Sequence, residues 1–210
     1  MIHLFEITNV AFEVLGYPIS YVELIGTLFG LVSVYFASRA NILTWGTGIV
    51  NELFLLILFF QVQLYADMFL QIYFLIVTIY GWYRWNRPVM ESKISKTKMK
   101  GRIIIIVAII IGTLISGFLF NNIHIYLPKY FKIQAAYPYT DSFVMILSII
   151  ATILLAKKKI ENWYLWIIVD LVCVALYLKK GVIFLSIEYI IFLGLAVYGF
   201  FQWRKKLSND

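Results

Sequence analysis

The chain has 210 residues, 62% of them hydrophobic and only 14% charged, with a mean hydropathy of +0.87. A soluble domain of this length cannot hide so much apolar surface, so the composition excludes one and requires a bilayer. The net charge of +7 sits in short stretches between apolar runs, which excludes a nucleic-acid-binding domain and points to cytoplasmic loops loaded with Lys and Arg.

Residues 1–16 mix apolar positions with Glu6 and Glu13. They are too short to span, lack a basic n-region and a cleavage site, and are expected to form a short amphipathic helix at the interface. Pro18 then breaks the chain before the first of seven apolar runs, each near the ~20 residues a bilayer needs. These cover 20–38, 43–62, 66–85, 103–120, 139–156, 161–178 and 181–202. A basic loop, 86–102, precedes the fourth. On the first run, Gly26 and Gly30 form a small-xxx-small spacing that suits close helix packing.

With the N-terminus outside, fourteen of the eighteen basic residues fall in inner segments and only Lys129, Lys132, Lys179 and Lys180 remain outside. The positive-inside rule therefore predicts an outer N-terminus and a cytoplasmic C-terminus, and favours an odd number of spans.

Shifting the chain by 118 residues lays 21–85 onto 139–203 without a gap. Tyr21 meets Tyr139, Trp45 meets Trp163, and Tyr80-Gly81 with Trp85 meets Tyr198-Gly199 with Trp203. Acids meet acids, Glu23 with Asp141 and Glu52 with Asp170, while Arg39 meets Lys157. Identities are few; the matched rare residues carry the comparison. The expected fold is an all-α integral membrane protein of seven helices in a three-plus-one-plus-three parallel repeat. Its parts are bundles 20–85 and 139–203 and a linker helix 103–120, and repeats of this kind place substrate near the midplane between the halves.

Polar residues inside the runs mark the candidate site. Trp163, Trp166 and Asp170 share a helix face, with Asn162 one turn below Trp166. Asn51 and Glu52 follow Trp45 on the second run; Asp67, Gln71, Thr78, Trp82 and Trp85 stripe the third; Ser186, Glu188 and Tyr189 lie on the seventh. A carboxylate at such depth costs ~2.5–3.5 kcal/mol on insertion scales, so it must face protein or a wet cavity. Each amide or acid alone also suits a helix-to-helix hydrogen bond. Convergence of an acid and an indole from both halves points instead to a shared cavity for a polar, ring-bearing molecule. The substrate-binding candidates are Asn51, Glu52, Gln71, Trp82, Asn162, Trp163, Trp166, Asp170 and Glu188.

No catalytic constellation is present: there is no HExxH, P-loop, GxSxG or Cys-His cluster, so neither an enzyme nor an ATP-driven motor is expected in this chain. Cys173 is the single cysteine, and His3 and His124 lie far apart without ligand spacing, so no metal or cofactor is expected.

Asn51, the stretch Gln61-Val62-Gln63-Leu64-Tyr65, Gln71 and Tyr80-Gly81-Trp82-Tyr83-Arg84-Trp85 resemble the PnuC family of vitamin transporters. Asp141-Ser142, Val144-Met145-Ile146-Leu147-Ser148, Glu161-Asn162-Trp163 with Trp166, and Leu185-Ser186 with Glu188-Tyr189-Ile190-Ile191 extend the resemblance over roughly 20–203. The resemblance implies a bacterial inner-membrane protein, similar in plan to the SWEET sugar carriers, working by facilitated diffusion without ion or ATP coupling. It also implies a homotrimer, and nicotinamide riboside as substrate, trapped inside by a riboside kinase. Thiamine and riboflavin are the substrates of sister branches. A different class, a substrate-capturing membrane subunit that needs a separate ATPase, is the remaining alternative.

Overall fold

The computed structural model describes residues 5–14, 16–61, 65–87, 93–129, 134–179, 181 and 183–208. His3, Val62, Gln63, Leu64, Lys132 and Lys180, together with the side chain of Asp67, lie outside the described residues. A two-stranded antiparallel hairpin, β1 (Val10–Val14) and β2 (Tyr17–Ser20), leads into seven helices. These are α1 (Tyr21–Ser38), α2 (Leu43–Gln61), α3 (Tyr65–Trp85), α4 (Met99–Tyr126), α5 (Pro138–Ala156), α6 (Glu161–Lys179) and α7 (Ile183–Ser208).

The hairpin corrects the expected N-terminal helix. Val10, Phe12 and Val14 are β-branched or aromatic at alternate positions, a strand pattern, and Gly16 turns the chain at φ +82, open to glycine at little cost. The backbone before the strand is satisfied by a side chain rather than by a helix. Gln61, at the end of α2, accepts from Ile7 N at 3.1 Å and donates to Phe5 O at 2.6 Å. Tyr17 OH donates to Glu23 at 3.0 Å, and burial followed by the Glu23 charge pushes its phenol up to about 12, so it remains a donor. Ser20 then caps α1, its hydroxyl accepting from Glu23 N at 3.2 Å.

The other helices lie close to the expected runs. The fourth is longer, 28 residues against the expected 103–120, because Met99–Arg102 extend it before its apolar part and Asn121–Tyr126 after it. Among the described residues, six helices are long and apolar enough to cross a membrane. Helix α4 packs against α5 and exposes Ile104, Ile110, Leu114, Ile115 and Phe118 along its outer face, the pattern of a lipid-facing helix.

The remaining helices form two triplets, α1–α2–α3 and α5–α6–α7, which meet where α1 packs on α7 and α3 on α5. The turns after α1 and α5 are built alike. Ala40 (φ 53) and Lys158 (φ 50) both adopt the left-handed region. Asn41 N returns to Phe36 O, and Lys159 N to Leu154 O. The α5–α6 turn also receives the end of the basic loop, where Ser95 pairs with the backbone of Lys158 and Ile160. Glu161 opens α6 by accepting from Thr97 N (2.9 Å) and Arg102 Nη2 (2.9 Å). Lys206 Nζ donates to Arg39 O. Arg39 just past α1, Lys157 just past α5, and Lys205 and Lys206 in the last turn of α7 are thereby gathered at one end of the bundle.

Candidate substrate cavity

A cavity of about 290 Å³ lies between the two triplets. Seven of the nine candidates line it: Asn51, Glu52, Gln71, Trp163, Trp166, Asp170 and Glu188. They come from α2, α3, α6 and α7, and among the described residues no Lys or Arg shares the lining.

Two tryptophans form its floor. Trp45 and Trp163, only 2% and 1% exposed, each rest in a notch made by a glycine of the next helix. A Cβ on Gly81 would stand 2.3 Å from the Trp45 ring, and one on Gly199 would stand 2.6 Å from the Trp163 ring, so only glycine admits them. Among the described residues neither indole Nε1 has a partner, an uncommon condition for a buried donor. Seven residues beyond each indole, about 10 Å along the axis, stand Glu52 and Asp170.

Glu52 accepts from Thr78 Oγ1 through one oxygen, while its other oxygen is buried without a partner. Asp170 is 3% exposed, and no basic side chain lies in the lining around it. Asn51 is held by its own amide, Nδ2 donating to Gly26 O at 2.8 Å. Gly30 makes that approach possible, since a Cβ there would lie 2.9 Å from the same nitrogen. The Gly26 and Gly30 pair thus seats a cavity residue.

Two candidates are not brought to the lining. Trp82 is 43% exposed, with Gly46 the glycine its ring comes near; at that level the inward position is filled by Trp45 in the Gly81 notch. Asn162 is fully buried in the first turn of α6, where its Nδ2 donates to Lys159 O at 2.6 Å. A first-turn amide bonding back to the preceding turn is a local alternative to reaching across a cavity.

Of the other lining residues, Thr27, Ser33, Thr152, Phe74 and Phe192 were not singled out by sequence. Ser33 and Thr44 exchange hydroxyl and carbonyl hydrogen bonds at 2.8 and 2.9 Å between α1 and α2. Thr27 and Thr152 add hydroxyls, and Phe74 and Phe192 add rings. The two phenylalanines coincide under the 118-residue shift, the one signal that pointed to them; a lone Ser or Thr in an apolar run gives none. Tyr189 also lines the cavity and stacks on Tyr177 at 5.4 Å. Chemically, the described lining offers rings, hydroxyls, amides and acids, and no Lys or Arg to pair with a phosphate. Among the described residues no cluster of His, Cys, Asp and Glu could hold a metal.

The family model described as Nicotinamide mononucleotide transporter matches residues 20–205. The nicotinamide riboside transporter PnuC of Escherichia coli K12 is 31% identical over 207 residues, covering 90% of this chain and 87% of its own. The riboflavin/roseoflavin transporter RibM of Streptomyces davaonensis is 26% identical, covering 95% and 92%. The crystal structure of the vitamin B3 transporter PnuC superposes with a TM-score of 0.67 over 90% of this chain and 83% of that one, at 20% identity, a likeness of fold. Family, relatives and six apolar helices around a polar cavity agree: the chain belongs to the PnuC family and is a multi-pass transporter of the inner membrane, not an enzyme.

Proposed function

We propose that this chain carries nicotinamide riboside by alternating access, without ion or ATP coupling. The observation that carries the reading is the cavity lining: indoles and carboxyl groups from both triplets, with no Lys or Arg. Nicotinamide riboside presents a cationic pyridinium, a carboxamide and ribose hydroxyls. An indole face attracts a desolvated cation by ~2 kcal/mol, and Trp166 or Trp163 supplies that face. Asp170 and Glu52 balance the charge. Asn51 and Gln71, whose amides both donate and accept, suit the carboxamide and hydroxyls.

Nicotinamide mononucleotide, which the family description names, would bring a phosphate into this acidic, cation-free lining, and like charge rejects it. The same property makes phosphorylation by a cytoplasmic riboside kinase an effective trap. Riboflavin, suggested by the RibM relative, is the second reading. A cavity of about 290 Å³, at the lower edge of the usual range for small-molecule sites, favours the smaller riboside. Thiamine, also cationic, is distinguished by assay.

The transport reading rests on a three-plus-one-plus-three duplication with α4 as the linker. The alike turns at Ala40 and Lys158, the twin glycine notches and the reciprocal packing of α1 on α7 and α3 on α5 support it. Basic residues gathered at the C-terminal ends of α1, α5 and α7 support a cytoplasmic C-terminus and an outer N-terminus.

Uptake of labelled riboside into liposomes holding only this protein, without ATP, tests the proposal. Saturable uptake that excess mononucleotide leaves undiminished is expected. Uptake that requires an added ATPase would contradict it.

A further inference from the structure

We infer that Trp85 and Trp203 form a latch between the two triplets that keeps the floor of the cavity shut, and that its release opens the basic end. The inference rests on the transporter reading above but not on which solute is carried.

The floor indoles belong to their own triplets. Trp45 of α2 sits in the Gly81 notch of α3, and Trp163 of α6 sits in the Gly199 notch of α7. A second indole stands edge-on beneath each: Trp85 lies 5.1 Å from Trp45 at 88°, and Trp203 lies 5.7 Å from Trp163 at 84°. These lower indoles join the halves. Trp85 Nε1 donates to Ala156 O of α5 at 3.1 Å, and Trp203 Nε1 donates to Ala37 O of α1 at 3.0 Å. Their rings also meet each other at 6.4 Å. The acceptors lie in the last turns of α5 and α1, where helix carbonyls lack a full set of intrahelical donors.

A solute resting on Trp45 and Trp163 can leave at this end only if α3 parts from α5 and α7 from α1. That separation breaks these two neutral hydrogen bonds and the ring contact, together with the exposed Lys206–Arg39 hydrogen bond and the Lys158 ammonium 4.8 Å over the Trp85 ring, while each floor indole stays in its glycine notch and moves with its half. Hydrogen bonds of this type contribute little net free energy, because water replaces the partner when they open. Closure is therefore specific yet cheap to undo, as a gate that cycles requires. Trp85 and Trp203 are positioning residues: they line no part of the cavity and act through the floor.

The test places one reactive thiol just above the floor. Ala196, 1% exposed and lining the cavity, becomes Ala196→Cys in a Cys173→Ala background. A membrane-impermeant maleimide is applied to oriented vesicles from the face that carries the basic residues. Trp85→Phe and Trp203→Phe each keep a ring and remove the N–H. Labelling is expected to rise roughly fivefold for either variant and on the order of twentyfold for both, with no rise from the other face. Labelling from the basic face that stays at the parent rate in the double variant would overturn the latch. Riboside binding is measured on the same preparations, so failure of the substrate reading shows as absent binding in parent and variants alike, whatever the labelling. Should the double variant not fold, the Arg39–Lys206 contact offers a second route. With Arg39→Cys and Lys206→Cys in the same background, a cleavable bifunctional thiol reagent is expected to stop uptake until it is reduced. Undiminished uptake after complete cross-linking would overturn the latch equally.

Discussion

Adding one carbon to Gly199 should collapse the floor of the cavity. A Cβ there would stand 2.6 Å from two atoms of the Trp163 ring and 2.8 Å from a third. Normal contact needs at least 3.4 Å, so the indole must recede by ~1 Å, an overpacking that costs ~1–3 kcal/mol in a close-packed core. Trp163 is 1% exposed and backed by Trp203 at 5.7 Å, so its free direction is into the cavity. Alanine gains up to ~1 kcal/mol in a helix over glycine, leaving a net loss of up to ~2 kcal/mol in stability. Riboside affinity should weaken by roughly tenfold, ~1.4 kcal/mol. Gly194, on the same helix with nothing within 4 Å of its Cβ position, is the matched control, and Gly194→Ala should leave both quantities unchanged or slightly improved. Thermal unfolding and calorimetric titration of the two purified variants read the difference. Gly199→Ala behaving like Gly194→Ala would refute the notch.

Trp166→Ala should weaken riboside binding by about thirtyfold, the ~2 kcal/mol of a desolvated cation–π contact, with the unfolding temperature little changed; unaltered affinity in calorimetry removes Trp166 from the site. Asp170→Asn should weaken binding of the cationic riboside while sparing its uncharged dihydro form, and equal losses for both would mean the carboxyl does not answer the charge. Glu161→Ala should lower stability by ~1–2 kcal/mol, since it leaves Thr97 N and Arg102 without their acceptor; Arg102 is 43% exposed, which keeps the effect modest. Its riboside affinity should match the parent, because Glu161 lies outside the cavity lining, and a changed affinity would contradict that separation.

The helices were legible because apolar length is a strong signal, and the acids were legible because a bilayer makes each one costly. Glu52 and Asp170 reach one cavity, as their matched spacing from Trp45 and Trp163 suggested. The hairpin was not legible: strands of five and four residues with mixed polarity suit a helix turn as well, and the chain before them is tied to Gln61, more than fifty positions away. Trp82 and Asn162 show the limit of face arithmetic. A helical wheel gives the direction of a Cβ, but Trp45 had already filled the space before Trp82, and Asn162 found a closer acceptor in its own turn. The partners of Trp85 and Trp203 lie 71 and 166 residues away, a separation no local pattern encodes.

An acidic, indole-lined cavity without basic residues should take a nucleoside cation and refuse its phosphate. Calorimetric titration of the purified protein with nicotinamide riboside, thiamine, riboflavin and nicotinamide mononucleotide, in parallel, measures it most directly. Tight binding of the riboside with no heat from the mononucleotide is the predicted result; mononucleotide binding as tight as the riboside's would contradict the account.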